Sequence, residues 1–357
     1  MVAPLKHGHW KLSDLAEVPK NGLKVFSCFH CGGGSTMGYK LAGYDVIGGV
    51  EIDPEMMQLY RLNHNPKHSY LMPIQKFKNI PDSELPSELF NLDILDGSPP
   101  CSSFSTSGSR EKKWNEKSKF REGQANQVLD DLFFHFIDVA QKLKPKVVVA
   151  ENVKGLVTGN AKGYVKEIFQ KLRNAGYDVQ LFLLNASRMG VPQVRERTVF
   201  IARRSDINFK SLSLDFFENP VSISVATNRD HINNSNLFLT GENLDAWHWC
   251  IRNKKPCFAS YFESRDGGLK RKKFNWQISF SSKPAYTIAA TGPGRPISDI
   301  EPRYFTDHEI IRCQSFPDDY DFCGKNVQYI CGMSVPPFMM QRIADQIERQ
   351  WFRSSVT

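Results

Sequence analysis

No stretch of this 357-residue chain approaches the roughly 20 consecutive apolar residues that a membrane-spanning helix requires. Its first ten residues, Met-Val-Ala-Pro-Leu-Lys-His-Gly-His-Trp, hold no apolar core of signal-peptide length, so a cytosolic protein without a membrane partner is expected. The eight cysteines are not spaced as a disulfide framework, and in a reducing compartment they should be thiols. Cys28 and Cys31 form a C-x-x-C. No second C-x-x-C or H-x-x-x-H follows at finger spacing, so no metal is expected. Internal repeats and low-complexity tracts are also lacking. What is present is ordinary for a globular protein, 41% hydrophobic and 24% charged residues, in a chain long enough for two domains.

The net charge of +8 favours an anionic partner, and its distribution says more than its sum. Between Arg110 and Arg121 six basic residues face two acidic ones, and between Arg252 and Lys273 eight face two. Two such dense runs suit a nucleic-acid groove better than an ordinary solvated face.

Along the chain, apolar runs alternate with helical patterns. Leu23 to Phe29 reads as a strand that ends in Cys31-Gly32-Gly33-Gly34, a turn of small residues opening a helix at Ser35. Tyr44 to Val50 reads as a second strand, ended by Glu51-Ile52-Asp53. An acid about 20 residues past a Gly-rich turn suits the two hydroxyls of a ribose. Helices are expected at Glu55 to Asn63, Val128 to Leu143 and Val165 to Leu172, and strands at Leu92 to Leu95, 147–150, 179–184 and 198–202. The alternation argues for a doubly wound, mostly parallel α/β sheet. Residues 205–282 break it, being rich in Ser, Asn, aromatic and basic residues, and irregular β structure is expected there. Helical patterning returns at Asp307 to Cys313 and at Pro337 to Trp351.

The chain is organised around Asp96-Gly97-Ser98-Pro99-Pro100-Cys101-Ser102-Ser103-Phe104-Ser105. Two prolines end the preceding strand and deliver a thiol at its carboxyl end, where open α/β sheets bind ligands. Glu151-Asn152 ends another strand of the same sheet, so Cys101 and Glu151 can converge. A thiolate and a carboxylic acid are what conjugate addition to a pyrimidine requires. The thiolate attacks ring carbon 6 while the acid serves ring nitrogen 3, with Asn152 beside it. By alternation Gln193, Arg195 and Arg197 share one face of an extended segment, where guanidiniums suit a phosphate or a base carbonyl.

These strings, in this order, resemble the DNA (cytosine-5)-methyltransferase family of bacterial or phage type. The likeness runs from about Val25 to Gln346 outside 205–282. It rests on Phe29 to Gly38, Glu51-Ile52-Asp53, Pro99-Pro100-Cys101, Glu151-Asn152-Val153, Gln193 to Arg197, Thr306 to Asp318, and Gly332-Met333-Ser334-Val335-Pro336. The resemblance implies a Rossmann-like, S-adenosylmethionine-dependent domain over 1–204, a smaller irregular β-rich target-recognition domain over 205–325, and a segment over 326–357 packing back on the first. It implies S-adenosyl-L-methionine as methyl donor, with Phe29, Cys31, Gly33 and Gly34 around it, Glu51 on the ribose and Ile52 on the adenine. Ile74, Pro100, Leu132, Ser334 and Val335 are further contacts. Cys101 would be the covalent nucleophile, Glu151 the acid, and Arg195 and Arg197 would steady the base.

Ser102 to about Phe120 would close over flipped, double-stranded DNA, touched by Ser102, Ser105 and Gln193, with Arg252, Arg265 and Lys272 on the target sequence. A monomer in the cytoplasm of a bacterial or phage-infected cell completes the expectation, and the sequence leaves open whether a cognate restriction endonuclease accompanies it. This chain has Cys31 where the family usually has Gly, no acid in Leu71-Met72-Pro73-Ile74, and Met333 where Asn is usual. Methylation of tRNA and a non-catalytic DNA-binding regulator on the same fold are the alternatives. A nicotinamide oxidoreductase would share only the Gly-rich turn and the acid.

Overall fold

A computed structural model describes residues 9–100, 131–157, 162–227, 235–265, 276–292 and 294–353, with the backbone of two short strands at 117–118 and 127–128 that pair antiparallel. The chain divides into two compact units. One holds Leu15–Leu184, Glu196–Asp215 and Met340–Thr357; the other holds Met1–Asp14, Asn185–Arg195 and Phe216–Met339.

The first unit is the α/β layer structure. Its strands are β1 (Lys24–Cys28), β2 (Asp45–Glu51), β3 (His68–Leu71), β4 (Ile94–Gly97), β5 (Val147–Val153), β6 (Tyr177–Asn185) and β7 (Glu196–Arg204). They form one seven-stranded sheet in the order β3-β2-β1-β4-β5-β7-β6. The pairs β1–β2, β2–β3, β1–β4 and β4–β5 are parallel, whereas β7 runs antiparallel to β5. No crossover helix intervenes between β6 and β7, so β7 returns against the direction of the others. The helices α1 (Gly34–Leu41), α2 (Pro54–His64), α3 (Ile74–Phe77), α4 (Leu132–Leu143) and α5 (Lys162–Asn174) connect the strands. Phe26, Leu95, Phe133, Phe136, Val148 and Phe200 belong to one buried apolar cluster. Each such side chain contributes roughly 1.5–3 kcal/mol of transfer free energy. Gly97 has no alternative in that packing, because a Cβ there would lie 2.5 Å from the Phe136 ring. The end of the chain belongs to this unit too, and the Tyr44 hydroxyl donates to the Ala344 carbonyl at 2.9 Å.

The second unit corrects the expectation of irregular β structure. Its described part of 205–282 contains α6 (Gly241–Arg252) and α7 (Phe258–Arg265), and its only sheet among the described residues is the two-residue parallel pair β8 (Ile278–Ser279) and β9 (Ile297–Ser298). Ala246, Trp247 and Cys250 of α6 pack with Phe258, Phe262, Ile278 and Ile297. Three short helices follow, α8 (Asp307–Cys313), α9 (Val327–Met333) and α10 (Pro337–Ile347), the last running into the other unit.

Candidate active site

The register of the parallel strands sets the site. Cys28 pairs with Val50 and with Gly97, and Gly97 pairs with Ala150, so the next residues, Phe29, Glu51, Ser98 and Glu151, emerge at one sheet edge. The chain winds outward from β1 to β3 and then returns to β4 on the other side of β1. That reversal is where an open α/β sheet presents its ligand crevice.

The loop from β1 to α1 is bent into left-handed backbone at Phe29 (φ 56°), Cys31 (φ 48°) and Gly33 (φ 75°). At Gly33 a side chain is excluded twice, by φ and by His64, whose Nε2 would be 2.2 Å from a Cβ. Cys31 accepts its strained φ, with its sulfur 3.6 Å from the Met56 sulfur. Its N–H donates to Glu51 Oε2 at 3.1 Å, while Glu51 Oε1 accepts the N–H groups of Ile52 and Asp53 at 2.9 and 3.1 Å. Burial raises the Glu51 pKa against these three donors, which favour the carboxylate. Phe29, Val50, Glu51, Ile52, Met72 and Ile74 line one cleft. It is an apolar slot with a single carboxylate, suited to a flat heterocycle joined to a hydroxylated sugar. The expected Phe29, Glu51, Ile52 and Ile74 meet there; Val50 and Met72 are additions. Leu132, fully buried, packs in the sheet's core cluster.

On the other side of β1, Asn152 closes the turn after β4. Its Nδ2 donates to the Pro99 carbonyl at 3.1 Å, and its Oδ1 accepts the Val153 N–H at 2.8 Å. Asn152 therefore holds the backbone two residues before Cys101, not the acid beside it. Glu151 lies 2.8 Å from Arg197 Nε through Oε1, both side chains being largely buried. Arg197 also donates to the Glu196 carbonyl at 2.8 Å. Burial pulls the Arg197 pKa down and Glu151 supports it. The second Glu151 oxygen takes no hydrogen bond from any described residue. Cys101, Ser102, Ser105 and Lys272 lie outside the described residues, and Pro100 is the last described residue before Cys101.

The remaining expected residues lie in the second unit. Gln193 is fully buried: its amide donates to Gln314 Oε1 at 2.6 Å and accepts the Ile288 N–H at 3.0 Å. Arg195, also buried, donates to the carbonyls of Ile288, Gly332 and Ser334 at 3.3, 2.8 and 3.1 Å. The Ser334 hydroxyl donates to the Ile330 carbonyl at 2.7 Å, and Val335 is buried. On the surface, Arg265 pairs with Glu242 at 2.6 Å, and Arg252 ends α6 exposed.

The sequence matches the profile of C-5 cytosine-specific DNA methylases over residues 23–349. It is 30% identical over 345 residues to the type II methyltransferase M1.HphI of Haemophilus parahaemolyticus, covering 91% of this chain and 86% of that one. The chain belongs to the C-5 cytosine-specific DNA methylase family. Two solved structures share its fold: a prophage-encoded protein of E. coli (TM-score 0.63, 20% identity, 92% of this chain and 99% of that chain) and a DNMT2 mutant of Spodoptera frugiperda (TM-score 0.63, 17% identity, 90% and 98%).

As a DNA cytosine-5 methyltransferase the chain acts on DNA, and its family implies S-adenosylmethionine as the methyl source. The cleft fits that group, because its apolar walls, one buried carboxylate and a loop that tolerates no side chain at Gly33 match a nucleoside held against backbone. Among the described residues no helix is long and apolar enough to cross a membrane, and no cluster of ligating side chains offers a metal site.

Proposed function

We propose that this methylase modifies carbon 5 of a cytosine flipped out of a specific double-stranded DNA sequence, through a covalent Cys101 adduct. The bare sheet edge would not suffice for this; the Glu151–Arg197 pair carries the reading. Arg197 fixes one oxygen of Glu151 and leaves the other for a ligand, which is what an acid serving a ring nitrogen needs. The Cys101 sulfur bonds to ring carbon 6, Glu151 gives its proton to nitrogen 3, and the displaced electron pair makes carbon 5 nucleophilic. S-adenosylmethionine, when bound, supplies the electrophilic methyl group that carbon 5 takes. Loss of the carbon 5 proton to a base then expels the Cys101 thiolate and restores the ring, while nitrogen 3 returns its proton to Glu151.

Phe29, Glu51, Ile52 and Ile74 would hold the nucleoside part of the cofactor in their cleft, and Glu51 would accept from the ribose hydroxyls. Pro99 and Asn152 aim the nucleophile. Gln193 through its amide and Arg195 through its two terminal nitrogens are engaged on Gln314 and on three carbonyls, so we read them as bracing their own unit rather than touching the base or DNA. Arg252 and Arg265 are exposed and available to DNA; the Arg265 charge is shared with Glu242. Base flipping is required because the ring atoms are shielded inside the stack. A cognate restriction endonuclease, a bacterial cytoplasm and a monomeric chain belong to the same proposal.

Duplex DNA carrying 5-fluorocytosine tests the mechanism, since fluorine at carbon 5 cannot leave as a proton does. With cofactor present, the wild type should form an adduct that survives denaturing electrophoresis, and Cys101→Ser should form none. No wild-type adduct on any duplex would overturn the covalent reading; methyl transfer to tRNA alone would overturn the substrate.

A further inference from the structure

One buried carboxylate has no part in that mechanism. Asp96, 1% exposed, stands on β4 five residues before Cys101 and one residue before the level at which the parallel strands end. Its Oδ2 accepts from the Ser27 hydroxyl of β1 at 2.7 Å and from the Ser35 hydroxyl in the first turn of α1 at 2.8 Å. Its Oδ1 accepts from the Tyr39 hydroxyl of α1 at 3.3 Å. Every donor is neutral. Glu51 and Glu151 are buried at the same edge, and of the three carboxylates Glu151 alone is paired with a cation among the described residues. A neutral Asn would satisfy two of the hydroxyls without placing an ion in the interior, so burying the charge is unfavourable unless something uses it.

A sulfonium methyl donor is cationic at the atom that loses its methyl group, and the sulfide left behind is neutral there. Fixed negative charge beneath the loop from β1 to α1 therefore interacts differently with the two. We propose that Asp96 is a charge-selecting positioning residue of the cofactor site, its carboxylate held under the first turn of α1 so that the sulfonium donor is favoured over its sulfide product. This rests on the cofactor reading above and deepens it. It acts through space, because the side chain is closed off by α1 and β1.

The selection should follow the ionisation of the group. Burial holds the Asp96 pKa up at about 6, against the three hydroxyl hydrogen bonds, with the Glu151 charge adding to the rise. The other titratable groups coupled to it are Tyr39, Tyr60 and Cys28, all raised by burial and neutral between pH 5 and 8. His30, lowered to about 3 by burial, is neutral there as well.

Equilibrium binding of S-adenosylmethionine, S-adenosylhomocysteine and sinefungin, which carries an amine beside the methyl-donor position, tests the proposal on the full chain without turnover. Asp96→Asn should weaken S-adenosylmethionine and sinefungin about tenfold while changing S-adenosylhomocysteine less than twofold. In the wild type the preference for the cationic ligands should decline as pH falls from 8 through about 6 to 5, and in Asp96→Asn it should be flat. Equal weakening of all three ligands, or none, in a variant that melts like wild type would overturn it. Should Asp96→Asn not fold, Tyr39→Phe decides: losing one donor moves the midpoint of the pH dependence upward if Asp96 sets it, and an unmoved midpoint counts against. If the wild type binds none of the three ligands, the cofactor reading fails instead.

Discussion

Two buried Arg–Glu pairs, one in each unit, are built in opposite ways. In the second unit Arg303 and Glu309 are 3% and 1% exposed and form a closed fork, with Nη1 to Oε2 at 2.8 Å and Nη2 to Oε1 at 3.0 Å. Arg303 Nε adds Glu301 at 2.7 Å, its Nη1 adds the Tyr304 carbonyl at 3.0 Å, and Glu309 Oε2 accepts the Thr306 N–H at 2.7 Å. Burial pulls the Arg303 pKa down, but the hydrogen bonds to Glu309 and Glu301 outweigh it and the result lies above the ordinary value. In the α/β unit Glu151 and Arg197 meet through one contact, at 10% and 13% exposure, and one carboxylate oxygen takes no hydrogen bond from the described residues. A closed pair can only hold the fold. An open pair can hold a substrate.

The largest effect that would break this comparison is on rate. Glu151→Gln keeps the size and a hydrogen-bonding group toward Arg197 but removes the acid, and should lower methylation about 10²–10⁴-fold, the usual scale of general acid catalysis. Cofactor affinity should change less than threefold and the melting temperature should move little. Initial rates with a saturating duplex, beside a melting curve, give the answer. A large loss of stability with the rate per folded molecule preserved would make Glu151 structural and cancel the distinction. The converse holds for the closed pair. Glu309→Ala leaves the Arg303 charge buried with only the half-exposed Glu301, and should cost about 3–5 kcal/mol in urea unfolding. Methylation per folded molecule should stay within twofold of wild type, and a stability change under 1 kcal/mol would show that the fork is redundant.

Which of these features the sequence discloses depends on the range of the interaction. The sheet was legible because strand and helix periodicities are local, and so was the common level at which the β4–β5 pairing ends, where Gly97 pairs with Ala150. The cleft was legible in part. A Gly-rich turn and an acid announce themselves, whereas Met72 is an ordinary residue until β3 brings it beside Glu51. Alternation put Gln193, Arg195 and Arg197 on one face, yet it carries no information on partners. Arg195 finds its acceptors at Ile288, Gly332 and Ser334, 93 to 139 residues away. The helix α6 carries a faint signal: Ala246, Trp247 and Cys250 are spaced for one helical face, masked by the polar residues around them. Asp96 left one too, as a carboxylate inside an otherwise apolar strand. Its meaning came only with the three hydroxyls gathered from β1 and α1.

The smallest effect sharpens the comparison most finely. Thr306 and Glu309 form a capping box at the start of α8: the Thr306 Oγ1 accepts the Glu309 N–H at 3.2 Å, and the Glu309 carboxylate accepts the Thr306 N–H. The same carboxylate thus caps a helix and neutralises a buried guanidinium. Thr306→Ala removes only the hydroxyl and leaves both ends of the fork in place, so its cost should be that of a lost N-cap, about 1 kcal/mol. If cap and fork are independent, the Thr306→Ala and Glu309→Ala costs measured in the double variant will simply add. If the cap instead orients the carboxylate for Arg303, removing Glu309 first will make the Thr306 substitution nearly silent. Urea unfolding of the two single variants and the double variant resolves the cycle. We expect coupling, because the Thr306 backbone N–H and Arg303 share Oε2 of Glu309, so loosening the cap residue by removing its hydroxyl also loosens the fork.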